Sequence, residues 1–374
     1  MTAARQELVA LVEQVCAPPG AGWAASSTGQ APLARRLHER RYGTASSPEV
    51  RERWLCRVAE EEPAVSVLGV PYAGGSYGIS SSDSGPLGIR LSLDAATGGP
   101  HDLGDLGDIR FLPGPPTDDM LAPYWLSQVR AARFGDPQSP LPVCMLSAAE
   151  AVTSAAAAAG LPLIVLGGDH SVSVAALSGA GRRRAGLLHV DAHGDLSTGR
   201  DGLRLLHSSW VWAADQAVSF AALAQVGVAD GSVLPSWLAG RARRWGPEEV
   251  GQSPAVAAEQ VIEFFASRGC RDAYVSIDID ALTQQDAPAT GLPDGAIPVQ
   301  ALASFLESLA GLTAAPGAPR YFGADVTEVA PTLAATSGRP GEGDWAQEAT
   351  CRSAAELVSR LAVMLSGSVH DIAA

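Results

Sequence analysis

Three short segments of the sequence place histidine and aspartate directly after apolar runs. The run at 161–166 is followed by GGDH (167–170), the run at 185–190 by DAHGD (191–195), and the run at 273–277 by DID (278–280). Four of the seven histidines of the chain lie between residues 170 and 207. Turn and cap preferences do not explain that density. The three segments therefore predict a site that uses imidazole and carboxylate groups together.

The spacing within these segments also indicates a shared site. Alternate residues of an extended chain point to the same face, so we expect Asp191, His193 and Asp195 to point the same way, and Asp278 and Asp280 likewise. His170 would join them from its own strand end. Two further residues leave alternatives open. Asp169 could be a turn former or helix cap only. His189 points to the same face as Asp191 and is either part of the site or a buried histidine behind it or in the core.

Carboxylates gathered in this way need compensation at neutral pH. Two like charges ~4 Å apart repel by about 4 kcal/mol at an effective dielectric near 20, and four carboxylates form several such pairs. Either they take up protons or cations neutralise them. Two divalent ions would balance four carboxylates, and imidazole and oxygen ligands without thiolate favour Mn²⁺ over Fe, Co or Zn. The pattern predicts a bridged pair of Mn²⁺ ions.

The elements that must position these residues are strands alternating with helices from about residue 145 onward. This alternation predicts an α/β fold with a mostly parallel sheet covered by helices on both faces. In such a sheet, ligands bind beyond the carboxyl ends of the strands, where the three segments lie. Residues 1–62 read as an N-terminal helical extension, and residues 63–374 as the α/β domain. The Ser-rich segment 76–84 is a loop, either ordered near the site or flexible at the surface.

Composition narrows the class of protein. The 374 residues are 47% hydrophobic and 18% charged, with a formal net charge of −14. Such an acidic chain disfavours nucleic-acid binding, and no apolar run is long enough to predict a membrane span. Its five cysteines form no CxxC pair, which argues against a zinc-thiolate site and indicates reduced thiols in the cytoplasm.

These motifs resemble those of a known family, the ureohydrolases: arginase, agmatinase, guanidinobutyrase and formimidoylglutamase. GGDHS (167–171), DAHGD (191–195) and SIDID (276–280) are similar to the three metal-binding motifs of that family. The likeness, which spans about residues 65–365, continues in four further segments. LGVPY (68–72) with GPLGIR (85–90) resembles the first strand and its loop, DLGD (105–108) the second strand's end, and TEVAP (327–331) the late glutamate motif.

The resemblance implies a three-layer α/β/α fold, a binuclear manganese cluster and a role for each matching residue. One ion would be held by His170, Asp191, Asp195 and Asp278, and the other by Asp191, His193, Asp278 and Asp280. Asp195 would accept the proton of the attacking hydroxide, and Glu328 would accept hydrogen bonds from a guanidinium. His207 would shuttle protons to the leaving amine, unless it is an ordinary loop histidine. The partners implied are a small guanidino substrate, cleaved to urea and an amine, and further copies of the chain in a trimer or hexamer.

Departures from the family pattern bear on the substrate. Arginases bind the α-amino group of arginine with an acidic loop, where this chain keeps Asp230 but has Ser232 and Pro235, so we do not expect free arginine. His189 is closer to agmatinases and guanidinobutyrases. Trp210 and Trp212 either line an enlarged substrate mouth or pack in the core or an interface. We expect an agmatine-like or guanidinobutyrate-like compound, or a specialised metabolite.

Two other functions stay open. The first is a formimidoylglutamase-like hydrolase that releases formamide. The second is a relative that binds a guanidino ligand without turning it over, although six costly polar residues kept together argue against that. A nucleotide-binding domain is excluded because GGDHS lacks the glycine spacing of a phosphate loop.

Overall fold

The computed structural model of the chain describes residues 2–21, 30–76, 81–98, 102–110, 114–229, 231–315, 317–334 and 347–369. The helices are α1 (Ala3–Val15), α2 (Ala31–Tyr42), α3 (Ser47–Glu60), α4 (Gly85–Ala96), α5 (Pro123–Phe134), α6 (Met145–Ala158), α7 (Val172–Ala180), α8 (Trp210–Val218), α9 (Pro247–Gln252), α10 (Pro254–Ser267), α11 (Val299–Gly311), α12 (Pro331–Ala334) and α13 (Ala349–Val369). The strands are β1 (Cys16–Ala17), β2 (Ser66–Val70), β3 (Gly104–Ile109), β4 (Leu163–Gly167), β5 (Gly186–Val190), β6 (Ala222–Val226), β7 (Ala242–Trp245), β8 (Asp272–Asp278) and β9 (Arg320–Thr327).

One sheet contains all of these strands, in the order β1-β3-β2-β4-β9-β8-β5-β6-β7. Every neighbouring pair is parallel except β1 and β3, which are antiparallel. Parallel neighbours need a crossover connection, and the alternating helices supply it. The predicted mostly parallel α/β sheet is confirmed.

The apolar runs of the central strands bury both faces of the sheet, as the sequence predicts. In β4, Ile164 and Leu166 pack in one hydrophobic cluster with helices α4, α10, α11 and α13. Leu163 and Val165 point the other way, into a second cluster with α1, α3, α6, α7 and α8. Because successive side chains of a strand alternate between faces, the two clusters are the two interfaces of a three-layer α/β/α arrangement.

The N-terminal extension is tied to the sheet by a strand and by buried charge. Strand β1 pairs with β3 at the sheet edge, and Arg41 of α2 donates two hydrogen bonds of 2.8 Å to Asp94 of α4. The Arg41 side chain also lies 2.6 Å from Asp105 of β3. The extension is thus mainly helical, as predicted, and also contributes an edge strand; the domain boundary at residue 62 stays a prediction.

Two sequence expectations about loops are modified. The segment GPLGIR (85–90), expected in the loop after the first strand, forms the first half of α4, because Pro86 is tolerated in the first turn of a helix. Of the Ser-rich segment 76–84, residues 77–80 lie outside the described residues, and Ser82–Ser84 form one 3-10 turn leading into α4. In the described part of the chain, no helix has both the length and the apolarity needed to cross a membrane.

Candidate metal centre

Four adjacent strands at the middle of the sheet carry the residues of the candidate site. The strand order places β4, β9, β8 and β5 side by side. His170 follows β4 by three residues, Glu328 follows β9 directly, Asp278 ends β8 and Asp191 follows β5 directly. All of these strands are parallel to their neighbours, so their carboxyl ends form one edge and bring the four side chains together.

The backbone beyond the strand ends is not extended, which corrects the reason given above for the convergence. Strand β5 ends at Val190, and Asp195 adopts a left-handed conformation with φ 51°. Ile279–Ala281 form a 3-10 turn in which the Asp278 side chain accepts the N–H of Asp280. The acids converge because tight turns fold them back over the sheet edge, not because alternate residues of a strand share a face.

Three carboxylates converge on one ring nitrogen of His170. Its Nδ1 lies 3.2 Å from an oxygen of Asp191, 3.3 Å from one of Asp195 and 3.2 Å from one of Asp278. The atom is buried and has no hydrogen-bond partner among the described residues. A buried ring nitrogen that is surrounded by carboxylate oxygens and makes no hydrogen bond has the environment of a metal-ligating imidazole.

A second group lies on the other side of Asp191. His193 Nδ1 lies 3.0 Å from Asp280 and 3.5 Å from Asp191. Asp191, His193 and Asp280 each offer a ligand atom within one ion's reach, and so do His170, His189, Asp191 and Asp195. Asp191 belongs to both groups and could bridge two ions.

The far side of the His170 ring is held by a buried chain of hydrogen bonds. Its Nε2 lies 2.9 Å from the Ser276 hydroxyl, which donates to Asp325 at 2.7 Å. A serine hydroxyl has one proton, so Ser276 must accept from His170 and Nε2 must carry the hydrogen. That tautomer leaves Nδ1 with its lone pair directed at the three carboxylates, as metal-ligating histidines require.

His189 lies beside the ligand set and not in it. Its Nε2 lies 2.8 Å from Asp191, and its Nδ1 lies 3.0 Å from the Gln225 amide nitrogen. The same amide nitrogen donates to the Gly194 carbonyl, and the Gln225 oxygen accepts from Arg244 at 2.8 Å. Since Gln225 donates to Nδ1, the ring proton lies on Nε2 and His189 donates to Asp191. His189 is thus a buried histidine behind the site.

Burial and crowding disturb the ionisation of the whole cluster. Burial and the charges of Asp280 and Asp191 raise the pKa of Asp278 well above its ordinary value, and burial with Asp191 raises the pKa of Asp280 to about 7. Burial would also raise the pKa of Asp191, but neighbouring imidazoles, His189 first, hold it well below its ordinary value. Hydrogen bonds to Asp191 and Asp280 raise the pKa of His193. Without cations, the cluster therefore retains protons.

Glu328, His207 and Asp169 lie together at one side of the cluster. Glu328 accepts the backbone N–H of His170 at 3.0 Å and lies 3.7 Å from His207 Nδ1. Its φ of 61° is strained for a glutamate, a feature typical of functional sites. Asp169 caps the turn by accepting the N–H groups of Gly75 and Ser171. Burial and Glu328 raise the pKa of Asp169 to about 7.

Trp210 packs beneath the cluster and not at its mouth. It is fully buried, and its ring stacks on His170 with centroids 4.5 Å apart and lies edge-on to His189. Of the two alternatives for this residue, packing is therefore correct. Trp212 is half-buried, with the Arg204 guanidinium 6.0 Å from its ring. Asp230 lies outside the described residues, and Ser232 binds Arg244.

Sequence reasoning missed the roles of three residues behind the ligands, Ser276, Asp325 and Gln225. Ser276 and Asp325 alternate with apolar neighbours inside buried strands, and a polar residue inside an otherwise apolar strand is the signal that could have found them.

The cysteines follow expectation: all five are free, and only Cys56 is exposed.

Fold and site together define an α/β protein with a carboxylate–imidazole centre suited to divalent metal at the carboxyl edge of a parallel sheet. A model of the arginase family matches residues 63–364, and the chain belongs to that family. It is a hydrolase of this family, and its substrate is a small molecule.

Curated relatives and solved structures agree with this assignment. The chain is 27% identical over 281 residues to a proclavaminate amidinohydrolase of Streptomyces clavuligerus, covering 71% of this chain and 80% of the relative. It is 31% identical over 317 residues to a formimidoylglutamase of Halobacterium salinarum, covering 79% and 92%. The solved structure of the S. clavuligerus proclavaminate amidinohydrolase superimposes with a TM-score of 0.59 at 22% identity, covering 82% of this chain and 93% of that one.

Proposed function

We propose that the protein is a binuclear manganese amidinohydrolase that cleaves the guanidino group of a compound other than arginine to urea and an amine. The observation that carries the proposal is the convergence of three carboxylates on the hydrogen-bond-free Nδ1 of His170. The second ligand group joins the first through Asp191. Two sites that share a carboxylate support a pair of ions.

The ligand assignment follows from which histidine ring nitrogens already have a hydrogen-bond partner. His189 lies close enough to be counted with the first group, but both of its nitrogens have partners, Asp191 and Gln225. Asp278 instead has an oxygen 3.2 Å from the unpaired nitrogen of His170. We therefore assign the ions as the family resemblance implies. His170, Asp191, Asp195 and Asp278 would hold one ion, and Asp191, His193, Asp278 and Asp280 would hold the other. Oxygen and imidazole ligands without thiolate favour Mn²⁺.

The chemistry divides between the ions and the side chains around them. When bound by these residues, Mn²⁺ would lower the pKa of a water molecule and so would supply hydroxide at neutral pH. Asp195 accepts the proton released during attack on the guanidinium carbon and passes it to the departing nitrogen. Glu328 orients the planar cation, because a carboxylate matches the guanidinium fork. His207, near Glu328, exchanges protons with the leaving amine; burial lowers and Glu328 raises its pKa, with a net rise.

The substrate class is supported by the names of several relatives. Besides the proclavaminate amidinohydrolase, the chain resembles an agmatinase of Gallus gallus at 31% identity over 185 residues and a guanidino acid hydrolase of Homo sapiens at 30% over 191 residues. None of these names specifies arginine, in agreement with the serine and proline in the loop after β6. The resemblance to a formimidoylglutamase keeps a formimino substrate as the second candidate.

One assay separates these functions. The Mn²⁺-loaded protein is offered a panel of guanidino compounds, arginine included, together with formimidoylglutamate, and urea and formamide are measured separately. Urea from a guanidino compound other than arginine is the expected result. Formamide alone would establish the second candidate, and stoichiometric Mn²⁺ binding without any turnover would indicate a ligand-binding relative. Ordinary turnover of agmatine or 4-guanidinobutyrate would rule out an unusual substrate.

A matched pair of variants on one strand ties the activity to the proposed centre. Asp278→Asn alters the carboxyl end of β8, and Asp272→Asn alters its amino end, where the side chain pairs with Arg320. The first should abolish turnover and weaken Mn²⁺ binding, while the second should leave both within about twofold.

The trimeric or hexameric state and the cytoplasmic location remain predictions from the resemblance and the cysteine pattern.

A further inference from the structure

A row of polar residues crosses the sheet beneath the candidate metal centre. The strand register pairs them with one another across adjacent strands, in the order Asp325 (β9), Ser276 (β8), His189 (β5), Gln225 (β6) and Arg244 (β7). The first four are fully buried, and Arg244 is half-buried on the edge strand. Burying a polar group is costly unless it is hydrogen-bonded. Each member of the row therefore needs a partner that compensates its burial.

The edge-strand end of this row is connected to the candidate bridging ligand. Arg244 donates from Nε to the Gln225 oxygen at 2.8 Å. The amide nitrogen of Gln225 lies 3.0 Å from Nδ1 of His189. The Nε2 atom of His189 lies 2.8 Å from Asp191. A continuous chain of hydrogen bonds thus runs from β7 to Asp191.

The direction of this chain is set by Arg244. A guanidinium has donors and no acceptor, so it can face only the oxygen of the Gln225 amide. The amide nitrogen is then turned towards Nδ1 of His189, which must accept, and the ring proton lies on Nε2. A carboxylate at position 244 would draw the amide nitrogen to itself, because a hydrogen bond to a charged group is stronger than one to the Gly194 carbonyl. Arg244 therefore decides which nitrogen of His189 carries the proton.

The same groups enclose the turn that carries Asp195. Gln225 also donates to the Gly194 carbonyl at 2.8 Å. A methyl group on Gly194 would lie 2.6 Å from the Ser232 hydroxyl and 3.0 Å from an Arg244 nitrogen. Asp195 follows with φ 51°, a conformation that a residue other than glycine keeps only where its surroundings enforce it. The contacts around Gly194 supply that enforcement.

Arg244 is itself held by the loop after β6. Its two terminal nitrogens donate to the carbonyl oxygen of Ser232 and, at 2.9 Å, to the hydroxyl of the same residue. With Nε on Gln225, all three nitrogens of the guanidinium have partners. A planar fork that is held at three points has little freedom to turn. One side chain thus fastens the loop, the edge strand and the Asp195 turn together.

We propose that Arg244 is a positioning residue of the metal centre and acts through Gln225. It holds the turn of Asp195 in place and keeps the ring proton of His189 directed at Asp191. The inference rests on the proposed function, because it takes both aspartates as metal ligands. Arg244 itself stands at the edge of the sheet, so its effect reaches the centre through the amide.

The two ends of the row also explain the different roles of two adjacent histidines. The ring centroids of His170 and His189 lie 5.2 Å apart, and both residues are fully buried. The chain from His170 ends in Asp325, which accepts, so this ring gives its Nε2 proton to the row and keeps a lone pair at Nδ1. The chain to His189 begins at Arg244, which donates, so this ring directs its own proton at the centre. Metal binding needs the lone pair, so only His170 offers a ligand atom.

Metal affinity tests the proposal in Arg244→Met, with Arg243→Met as the matched control. Arg243 is the preceding residue of the same strand, but it is exposed, and its guanidinium binds Gln260 and lies over the Trp245 ring. Isothermal titration with Mn²⁺ should show a loss of about 10- to 100-fold in Arg244→Met, the usual effect of losing a partner behind a ligand. The control should stay within about threefold of the wild type. Unchanged affinity in Arg244→Met, or equal losses in both variants, would overturn the proposal.

A double-mutant cycle asks whether the effect passes through the amide. Gln225→Met should weaken Mn²⁺ binding at least as much as Arg244→Met, because it also removes the bonds to His189 and Gly194. If Arg244 acts through Gln225, the double variant should bind within about threefold of Gln225→Met alone. Losses that multiply, as they do for independent residues, would show that Arg244 does not act through Gln225.

Nitrogen NMR of labelled histidine tests the direction of the chain without metal. In the metal-free full chain at mildly alkaline pH, the two tautomers of His189 give different ring-nitrogen signals, which His189→Gln assigns by their loss. The proton should lie on Nε2 in the wild type and move to Nδ1 in Arg244→Glu, where an acceptor replaces the donor. A wild-type proton on Nδ1, or no change in Arg244→Glu, would overturn the proposal. Because this measurement needs no cation, it decides the role of Arg244 even if the wild type binds no Mn²⁺, a result that would refute the proposed function.

Discussion

Ser276→Ala tests whether the buried chain behind His170 prepares the metal site. The Ser276 hydroxyl accepts from His170 Nε2 at 2.9 Å and donates to Asp325 at 2.7 Å, and all three side chains are fully buried. Its removal leaves a ring N–H and a carboxylate oxygen without these partners, each at a cost of about 1–3 kcal/mol. Because the Nε2–H tautomer is no longer fixed, Nδ1 offers its lone pair to metal less often.

The expected result is a 10- to 100-fold loss of Mn²⁺ affinity at the His170 site, the usual effect of losing a partner of a ligating histidine. This corresponds to about 1.4–2.8 kcal/mol. Isothermal titration of the metal-free protein with Mn²⁺ measures it directly, and electron paramagnetic resonance counts free Mn²⁺. Ser173→Ala is the matched control, since its hydroxyl lies 3.3 Å from that of Ser276 and also bonds Asp325, while the direct bond to the His170 ring comes from Ser276. An affinity within threefold of the wild type, or an equal loss in both variants, would refute the reasoning.

Three further outcomes follow from the same geometry. The metal-free protein should lose stability as pH rises from 5 to 8. The reason is that carboxyl groups such as Asp280, whose pKa is about 7 in the folded protein and near 3.8 in the unfolded chain, must ionise in the folded state. Melting temperatures measured with and without Mn²⁺ should diverge across this pH range, and parallel curves would contradict the linkage. Glu328→Gln should lower kcat/KM by about 10- to 100-fold, through loss of a charged hydrogen bond to the guanidinium, while Mn²⁺ affinity stays the same; an equal loss of metal would instead make the residue a ligand. Arg41→Met should destabilise the fold by about 3–5 kcal/mol in urea, since it removes two hydrogen bonds from the buried Asp94, and a loss below 1 kcal/mol would show that the extension is held elsewhere.

The alternation of apolar strands and amphipathic helices determined the fold class, because a run such as 161–166 has no charged residue and must be covered on both faces. The candidate ligands also followed from sequence, since each strand end carries its acids and imidazoles within five residues. Their spacing along an extended strand was the wrong reason, however. The left-handed backbone at Asp195 and the 3-10 turn Ile279–Ala281 produce the convergence, and the apolar pattern of the strands does not reveal either of them.

Tertiary structure decided what stands behind and around those ligands. The strand order alone makes β4, β9, β8 and β5 neighbours, and only this order brings Ser276 to His170 and Gln225 to His189. Whether Trp210 lines the mouth or packs beneath the cluster likewise depends on how helix α8 packs against the sheet. The local sequence pattern does not specify that packing. The sequence states which groups follow each strand, because that is local; it does not state which strands are adjacent, because pairing energy arises between segments that are far apart in the chain.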